Sequence, residues 1–309
     1  MPTDKRNRVA AIDCGTNSIR LLVSDIVGDS KTDVVRDMRI VRLGQDVDKT
    51  GHLADEAIAR TLSATREYAS LIQTLGVDSI RFCATSAARD ADNAEEFSEA
   101  IEAIIGVRPV VLTGEEEAQA SFLGAAGDLP VAHTLVVDIG GGSTELIVGT
   151  GEHVEWSVSL DIGSVRMTER YLRSDPPTVA EASDCISYLD TVLDKVIDEI
   201  PPVETFVGVA GTITTVAAHT LHLPSYDSET IHLAELKLAD VSHACISLAR
   251  MTVADRRALP FMHPGRADVI GGGALILDRL IERLPLRTDS LLVSERDILD
   301  GVAWSIVGR

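Results

Sequence analysis

Apolar residues along this chain keep two rhythms, and the change from one to the other happens twice in the same way. Residues 8–13 (RVAAID) form a short apolar run ending in Asp; CGTNS follows, and residues 19–26 resume the run. That pattern predicts strand, tight turn, strand. Residues 32–43 (TDVVRDMRIVRL) alternate and predict a third strand. Residues 55–75 switch to helical spacing and stop at Gly76, a helix C-terminal signal. A strand at 77–84, a helix at 93–105, a strand at 108–112 and a helix at 115–126 complete the series. The order βββαβαβα predicts an α/β domain, a mixed sheet with helices packed on it.

Residues 127–133 (GDLPVAH) carry Gly and Pro and mark a boundary. The pattern then restarts with a strand at 134–138, a glycine-rich turn at 139–143, and strands at 144–148 and 153–159. Helices at 164–171 and 178–200 follow, then a strand at 204–209. The remainder reads as mainly helical, with a short strand near 290–293 and a final helix at 296–307. Residues 13–23 (DCGTNSIRLLV) align with residues 138–148 (DIGGGSTELIV): Asp, Gly, Ser, Leu and Val match without a gap. The repeat predicts two similar domains, 1–126 and 127–309, facing each other across a cleft, with the last helix free to pack back on the first.

The two turns have a chemistry of their own. Hairpin turns rich in Gly, Ser, Thr and Asn direct successive backbone N–H groups into one concavity, an anion nest. Gly15 and Gly140, Gly141 and Gly142 would give close backbone approach and positive φ. Asn17, Ser18, Ser143 and Thr144 would add donors. Asp138, and after it Asp13, are candidates to hold a divalent cation that neutralises a bound phosphate. A single DxG turn is an ordinary hairpin; the pair, each opening a domain-sized segment, favours phosphate. A third turn, with Gly211 and Thr212 between a strand and a helix, is another potential anion site at a helix N-terminus.

Composition narrows the partners. A length of 309 residues can bury two cores. The net charge of −20 argues against nucleic acid or an anionic membrane as a partner, so an anionic substrate needs a local positive pocket. Cys14, Cys83, Cys185 and Cys245 show no CxxC spacing and read as buried free thiols of a reducing compartment. No secretory signal and no apolar run of about 18 residues is present, so the protein is expected in the cytoplasm and not in a membrane. The histidines lack metal-ligand spacing, and neither a GxSxG elbow nor the P-loop lysine signature occurs.

DCGTNSIRLLV, TSAARDADN, TGEEEA, DIGGGSTEL and GVAGTITTVAA occur in that order. With these motifs the chain resembles the exopolyphosphatase/guanosine pentaphosphatase (Ppx/GppA) family, within the actin-like ATPase superfamily of sugar kinases and Hsp70-type proteins. The resemblance covers essentially the whole chain, in its short, two-domain form, and TGEEEA ahead of DIGGGSTEL separates it from the kinases. It implies two actin-like ATPase-type (ribonuclease H-like) domains. It implies Glu117 as the catalytic base that orients and deprotonates water, with Glu116 the alternative if the register slips by one. It implies a role for Glu145 in positioning metal or the attacking water, a phosphate contact for Arg89, Mg2+ or Mn2+ as cofactor, and a homodimer. Without it, residues 115–117 read as an acidic helix start favouring the dipole, Glu145 as a solvent-facing strand residue and Arg89 as a helix-surface residue. Arg20 and Arg266 carry less functional weight, and Gly271, Gly272 and Gly273 read as packing glycines in an apolar helix.

The expected activity is hydrolysis of terminal phosphoanhydride bonds of inorganic polyphosphate, with short chains preferred because no extended basic track is visible. Guanosine pentaphosphate is the close alternative substrate. An ATP-dependent kinase of the superfamily would need an adenosine site, for which GVAGT is a poor candidate. A non-catalytic polyphosphate or alarmone sensor would gain nothing from the acidic set.

Overall fold

The computed structural model describes residues 6–126, 129 and 132–308, which form two compact units. The first runs to Gly124 and takes in the chain from Ile298 onward; the second spans Ala125–Asp297. Gly127, at the expected boundary, lies outside the described residues.

The first unit begins with strands β1 (Asn7–Cys14), β2 (Ser18–Val27) and β3 (Ser30–Ile40). Helices α1 (Val47–Thr50) and α2 (Asp55–Leu75) follow, then β4 (Ser79–Ala84), α3 (Ser86–Arg89), α4 (Ala94–Ile105), β5 (Val110–Val111) and α5 (Gly114–Ala126). The sheet order is β3-β2-β1-β4-β5, antiparallel from β1 through β3 and parallel from β1 through β5. Gly76 closes α2 in the left-handed conformation at φ 64°, its N–H bonded to Gln73 and Ile72 carbonyls.

The second unit contains β6 (His133–Ile139), β7 (Thr144–Thr150), β8 (His153–Leu160), α6 (Ser164–Tyr171), α7 (Val179–Leu193), β9 (Thr205–Val209) and α8 (Ala210–Thr220). It continues through α9 (Ser228–Ile231), β10 (Glu235–Lys237), α10 (Leu238–Arg250), α11 (Val253–Ala258), α12 (Ile270–Arg283) and β11 (Ser290–Val293). Its sheet reads β10-β11-β9-β6-β7-β8. Taken from the other edge, the two sheets have the same plan, with β10 added. The internal repeat in sequence is therefore a repeat in topology, two α/β units of one plan. The last helix, α13 (Ile298–Ser305), belongs to the first unit.

Alternation along β1 explains why α13 is there. Ala10, Ile12 and Cys14 face a core with Tyr68 of α2 and Phe97 of α4. Val9 and Ala11 face the other way and are covered by Ile298, Leu299 and Val302 of α13. The strand is apolar on both faces, so both must be covered.

Several boundaries depart from the sequence pattern. The third strand ends at Ile40 rather than at 43, because Val41 and Arg42 donate backbone bonds of 3.1 and 2.9 Å to the Asn17 carbonyl and leave the sheet. The strand expected at 108–112 shrinks to Val110–Val111, since Arg108 is drawn to Glu95 and Glu102 and the Leu112 carbonyl is taken by the Arg89 side chain. The helix expected to reach 200 stops at Leu193 and tightens to a short 3-10 turn at Ile197–Glu199, before the Pro201–Pro202 pair. The final helix starts two residues late, because Ser294 and Arg296 form their own turn. Strand β10 was not anticipated; three residues carry too little pattern.

Candidate functional site

In the first unit, the turn between β1 and β2 is closed by the Gly15 N–H on the Ser18 carbonyl at 2.9 Å. The carbonyls of Thr16 and Asn17 are fastened by the segment after β3: Gly44 donates to Thr16 and Val41 and Arg42 to Asn17. The Thr16 hydroxyl shares a 2.8 Å hydrogen bond with Ser86, the first residue of α3. In the second unit, the Gly140 N–H meets the Ser143 carbonyl at 3.0 Å, the same bond at the aligned position. The segment after β8 again fastens the turn. Ser164 N–H donates to Gly140, Val165 and Arg166 N–H to Gly141, and the Arg166 Nε to Gly142 at 2.8 Å.

Holding carbonyls back frees the opposite edges of the same peptides. Among the described residues, the N–H groups of Gly141, Gly142 and Ser143 take no protein acceptor. Three consecutive donors in a fixed turn make an anion nest. The expectation that Gly15, Gly140, Gly141 and Gly142 adopt positive φ is not met; the glycines that do so lie elsewhere. Close approach is what the second turn requires. A Cβ on Gly163 would stand 2.3 Å from the Gly141 oxygen, so only glycine lets α6 dock on the nest. Thr144 is fully buried and its hydroxyl donates to the Ile162 carbonyl at 2.5 Å. Its side chain thus pins the hairpin and is not offered as a phosphate donor, a correction to the expected set.

The carboxylates at the ends of β1 and β6 occupy aligned positions but different surroundings. Asp13 lies opposite Arg20 in register and accepts from its Nε at 2.9 Å and Nη2 at 2.6 Å. Arg20 shares its buried charge, which leaves Asp138 the first candidate for a cation and Asp13 the second. Asp138 lies opposite Glu145, the residue that aligns with Arg20. Both are buried, at 6% and 1% exposure, and Glu145 also accepts from the Ser159 hydroxyl at 2.7 Å. Directly opposed residues have Cβ atoms about 4.5–5.5 Å apart, within reach of a shared ion. Two like charges buried at that spacing favour a cation between them or a shared proton. Among the described residues no group of three or more His, Cys, Asp or Glu could hold a metal. The pair could supply two oxygen ligands to a hard divalent ion, whose remaining ligands would come from phosphate and water.

The three glutamates at the start of α5 separate cleanly. Thr113 and Glu116 form a reciprocal capping box: the Thr113 N–H donates to Glu116 Oε2 at 2.8 Å, and the Glu116 N–H to the Thr113 hydroxyl at 3.2 Å. Those bonds hold the Glu116 carboxyl below its ordinary range. Glu115 and Glu116 are exposed, whereas Glu117 is buried at 8% and faces Arg89, whose Nη1 donates to its Oε2 at 3.1 Å. The same Nη1 also donates to the Leu112 carbonyl at 3.0 Å. Arg89 ends the four-residue helix α3, fixed by its own bond from the Arg89 N–H to Thr85.

At the third turn Ala210 takes a left-handed φ of 67° as β9 passes into α8. A Cβ on Gly211 would stand 2.3 Å from Nη2 of Arg266, so the arginine lies flat on the helix start. Thr212 is buried, and a Cβ on Gly273 would meet its methyl at 2.5 Å. Gly271 and Gly272 are equally confined, by Arg256 and by the Ser164 carbonyl, which fits a packing role for the three glycines.

Reasoning on sequence passed over Thr113, Arg166, Gly163 and Ser159. Thr113 was legible, because T-x-x-E ahead of an apolar helix is a capping signature that assigns Glu116 to the cap. The contrast of Arg20 with Glu145 was legible in the repeat. Arg166 and Gly163 act on the nest across more than 20 residues and leave no local signal.

Two thiols flank Asp13. Cys83, in register with Asp13, is pushed up to about 11 by burial, and Cys14 is raised by burial and by Asp13. Neither is a thiolate near neutrality.

The model of the Ppx/GppA phosphatase family matches residues 22–309. Exopolyphosphatase 2 of Mycobacterium tuberculosis is 47% identical over 97% of this chain and 99% of its own length. The crystal structure of an exopolyphosphatase-like protein is 42% identical, with a TM-score of 0.92 over 97% of this chain and 98% of that one. The PPX-GPPA enzyme of Aquifex aeolicus is 35% identical, with a TM-score of 0.82 over 97% and 100%. The chain belongs to the Ppx/GppA phosphatase family.

Proposed function

We propose that this protein is an exopolyphosphatase that releases orthophosphate from the end of inorganic polyphosphate. The observation that carries the reading is the buried carboxylate of Glu117 held by Arg89, a base beside a phosphate-seeking guanidinium. The name of the M. tuberculosis relative supports the substrate.

Glu117 orients a water and takes its proton as the water oxygen bonds to the terminal phosphorus. The bridging P–O bond breaks, and the shortened polyphosphate leaves with the electron pair. The N–H groups of Gly141, Gly142 and Ser143 would hold phosphate oxygens, and Gly15, Asn17, Ser18 and Arg89 are likewise assigned to phosphate. Asp138 and Glu145 would hold Mg2+ or Mn2+, which supplies neutralisation of phosphate charge. The reading places the enzyme in the cytoplasm as a homodimer. No helix among the described residues is long and apolar enough to cross a membrane.

The test is phosphate release by the purified protein from polyphosphates of several lengths, guanosine pentaphosphate and ATP, each with Mg2+ or Mn2+. Release from polyphosphate without an acceptor, fastest on short chains, is expected. No release from any polyphosphate with either metal would refute the assignment.

A further inference from the structure

We infer that Gly301 and Asp300, in the last helix of the chain, are positioning residues for Glu117. The inference rests on the reading of Glu117 as the base.

Asp300 is fully buried and receives Lys31 Nζ at 2.9 Å and Arg36 Nη2 at 2.7 Å, both from β3. Asp33 joins the same two cations from the outside. A carboxylate gripped from two directions in a buried place cannot slide, so α13 is keyed to the sheet. Leu299 and Val302 add apolar contact with Val9, Ala11 and Leu22, and with Leu112, two residues before α5.

The next residue, Gly301, meets α5 itself. A Cβ there would stand 1.9 Å from the Ala120 oxygen and 2.7 Å from its carbonyl carbon. These are backbone atoms, less than one turn beyond Glu117. Ordinary van der Waals contact begins near 3.4 Å, so an added methyl requires a displacement of roughly 1.5 Å, from the difference of the two distances. With α13 held by Asp300, the displacement falls on α5. The Glu117–Arg89 bond of 3.1 Å has no slack for such a movement. An error of about 1 Å in a catalytic group can cost about 100-fold in rate. Gly301 therefore sets how deep the base helix lies, and Asp300 makes that depth rigid.

Three variants of the full chain test this, Gly301→Ala, Asp300→Asn and the double variant, with Glu117→Gln alongside. The readouts are kcat and KM for phosphate release from a short polyphosphate at saturating Mg2+, the kcat–pH profile, and thermal unfolding. Gly301→Ala should lower kcat by about 100-fold with KM changed less than about threefold. Its acid limb should move to higher pH, because Glu117 loses the cation that favours its charged form. Adding Asp300→Asn frees α13 to yield, so the double variant should recover part of the lost kcat. If Gly301→Ala does not fold, Asp300→Asn alone carries the test, with a smaller loss and the same direction of pH shift. Lower unfolding temperatures with unchanged kcat and acid limb in the variants that fold would make both residues structural only and overturn the inference. Losses in the double variant that simply multiply would overturn the keyed-helix argument. Near-normal turnover in Glu117→Gln would overturn the base assignment and this inference with it; a dead Glu117→Gln beside a normal Gly301→Ala would overturn the inference alone.

Discussion

Replacing Glu117 by Gln removes a charge and almost no volume. Gln still offers an acceptor to Arg89 Nη1, so the 3.1 Å contact can persist in shape. What is lost is the charge-assisted part of one hydrogen bond in a buried place, about 1–2 kcal/mol of stability. Turnover is affected far more. A positioned general base contributes about 100- to 10,000-fold, equal to about 3–5 kcal/mol of barrier. Glu116→Gln should show the reverse balance. It weakens one half of the capping box, about 0.5–1 kcal/mol, and leaves turnover within about twofold, since its carboxylate is engaged by Thr113. Single-turnover phosphate release under excess enzyme reads the chemical step, and urea denaturation of each variant reads stability. A large turnover loss in Glu116→Gln with little in Glu117→Gln would refute the assignment of cap and base. Near-normal turnover in both would refute a carboxylate base on α5.

Three further outcomes follow from the carboxylates. Arg20→Ala should cost about 3 kcal/mol by urea denaturation, because Asp13 stays buried without its cation; a loss below about 1 kcal/mol would contradict the pairing. Glu145→Gln should raise the Mg2+ concentration for half-maximal turnover about tenfold or more, read by titrating Mg2+ in the phosphate-release assay. The Glu116 carboxyl lies below its unfolded value, so its stabilisation is present above the ordinary glutamate pKa and lost as pH falls through the folded value. Thermal unfolding between about pH 5 and pH 3 should therefore fall less steeply in Glu116→Gln than in the parent protein.

What the sequence revealed and what it hid divide along contact range. The repeat at residues 13–23 and 138–148 foretold two hairpins, and both close with the same backbone bond. Strands and helices with several turns of pattern, such as α2, were legible to the residue. The end of β3 was not, because a carbonyl at Asn17, far back in the chain, captures Val41 and Arg42. The choice between Glu116 and Glu117 was local and could have been read from the capping box. The commitment of the Thr144 hydroxyl to Ile162 could not, because a donor in a turn motif looks the same whether it faces a ligand or its own scaffold.

The exchange of Arg20 for Glu145 at aligned positions divides the two hairpins by where their positive charge comes from. The first carries its counterion as the Arg20 side chain on its own second strand, fixed at synthesis and independent of the medium. The second presents two carboxylates and, on the reading proposed here, takes up a cation from solution. A fall in free divalent metal then leaves the first hairpin intact and empties only the second, so the supply of a common ion throttles turnover while the fold that carries the hairpins endures.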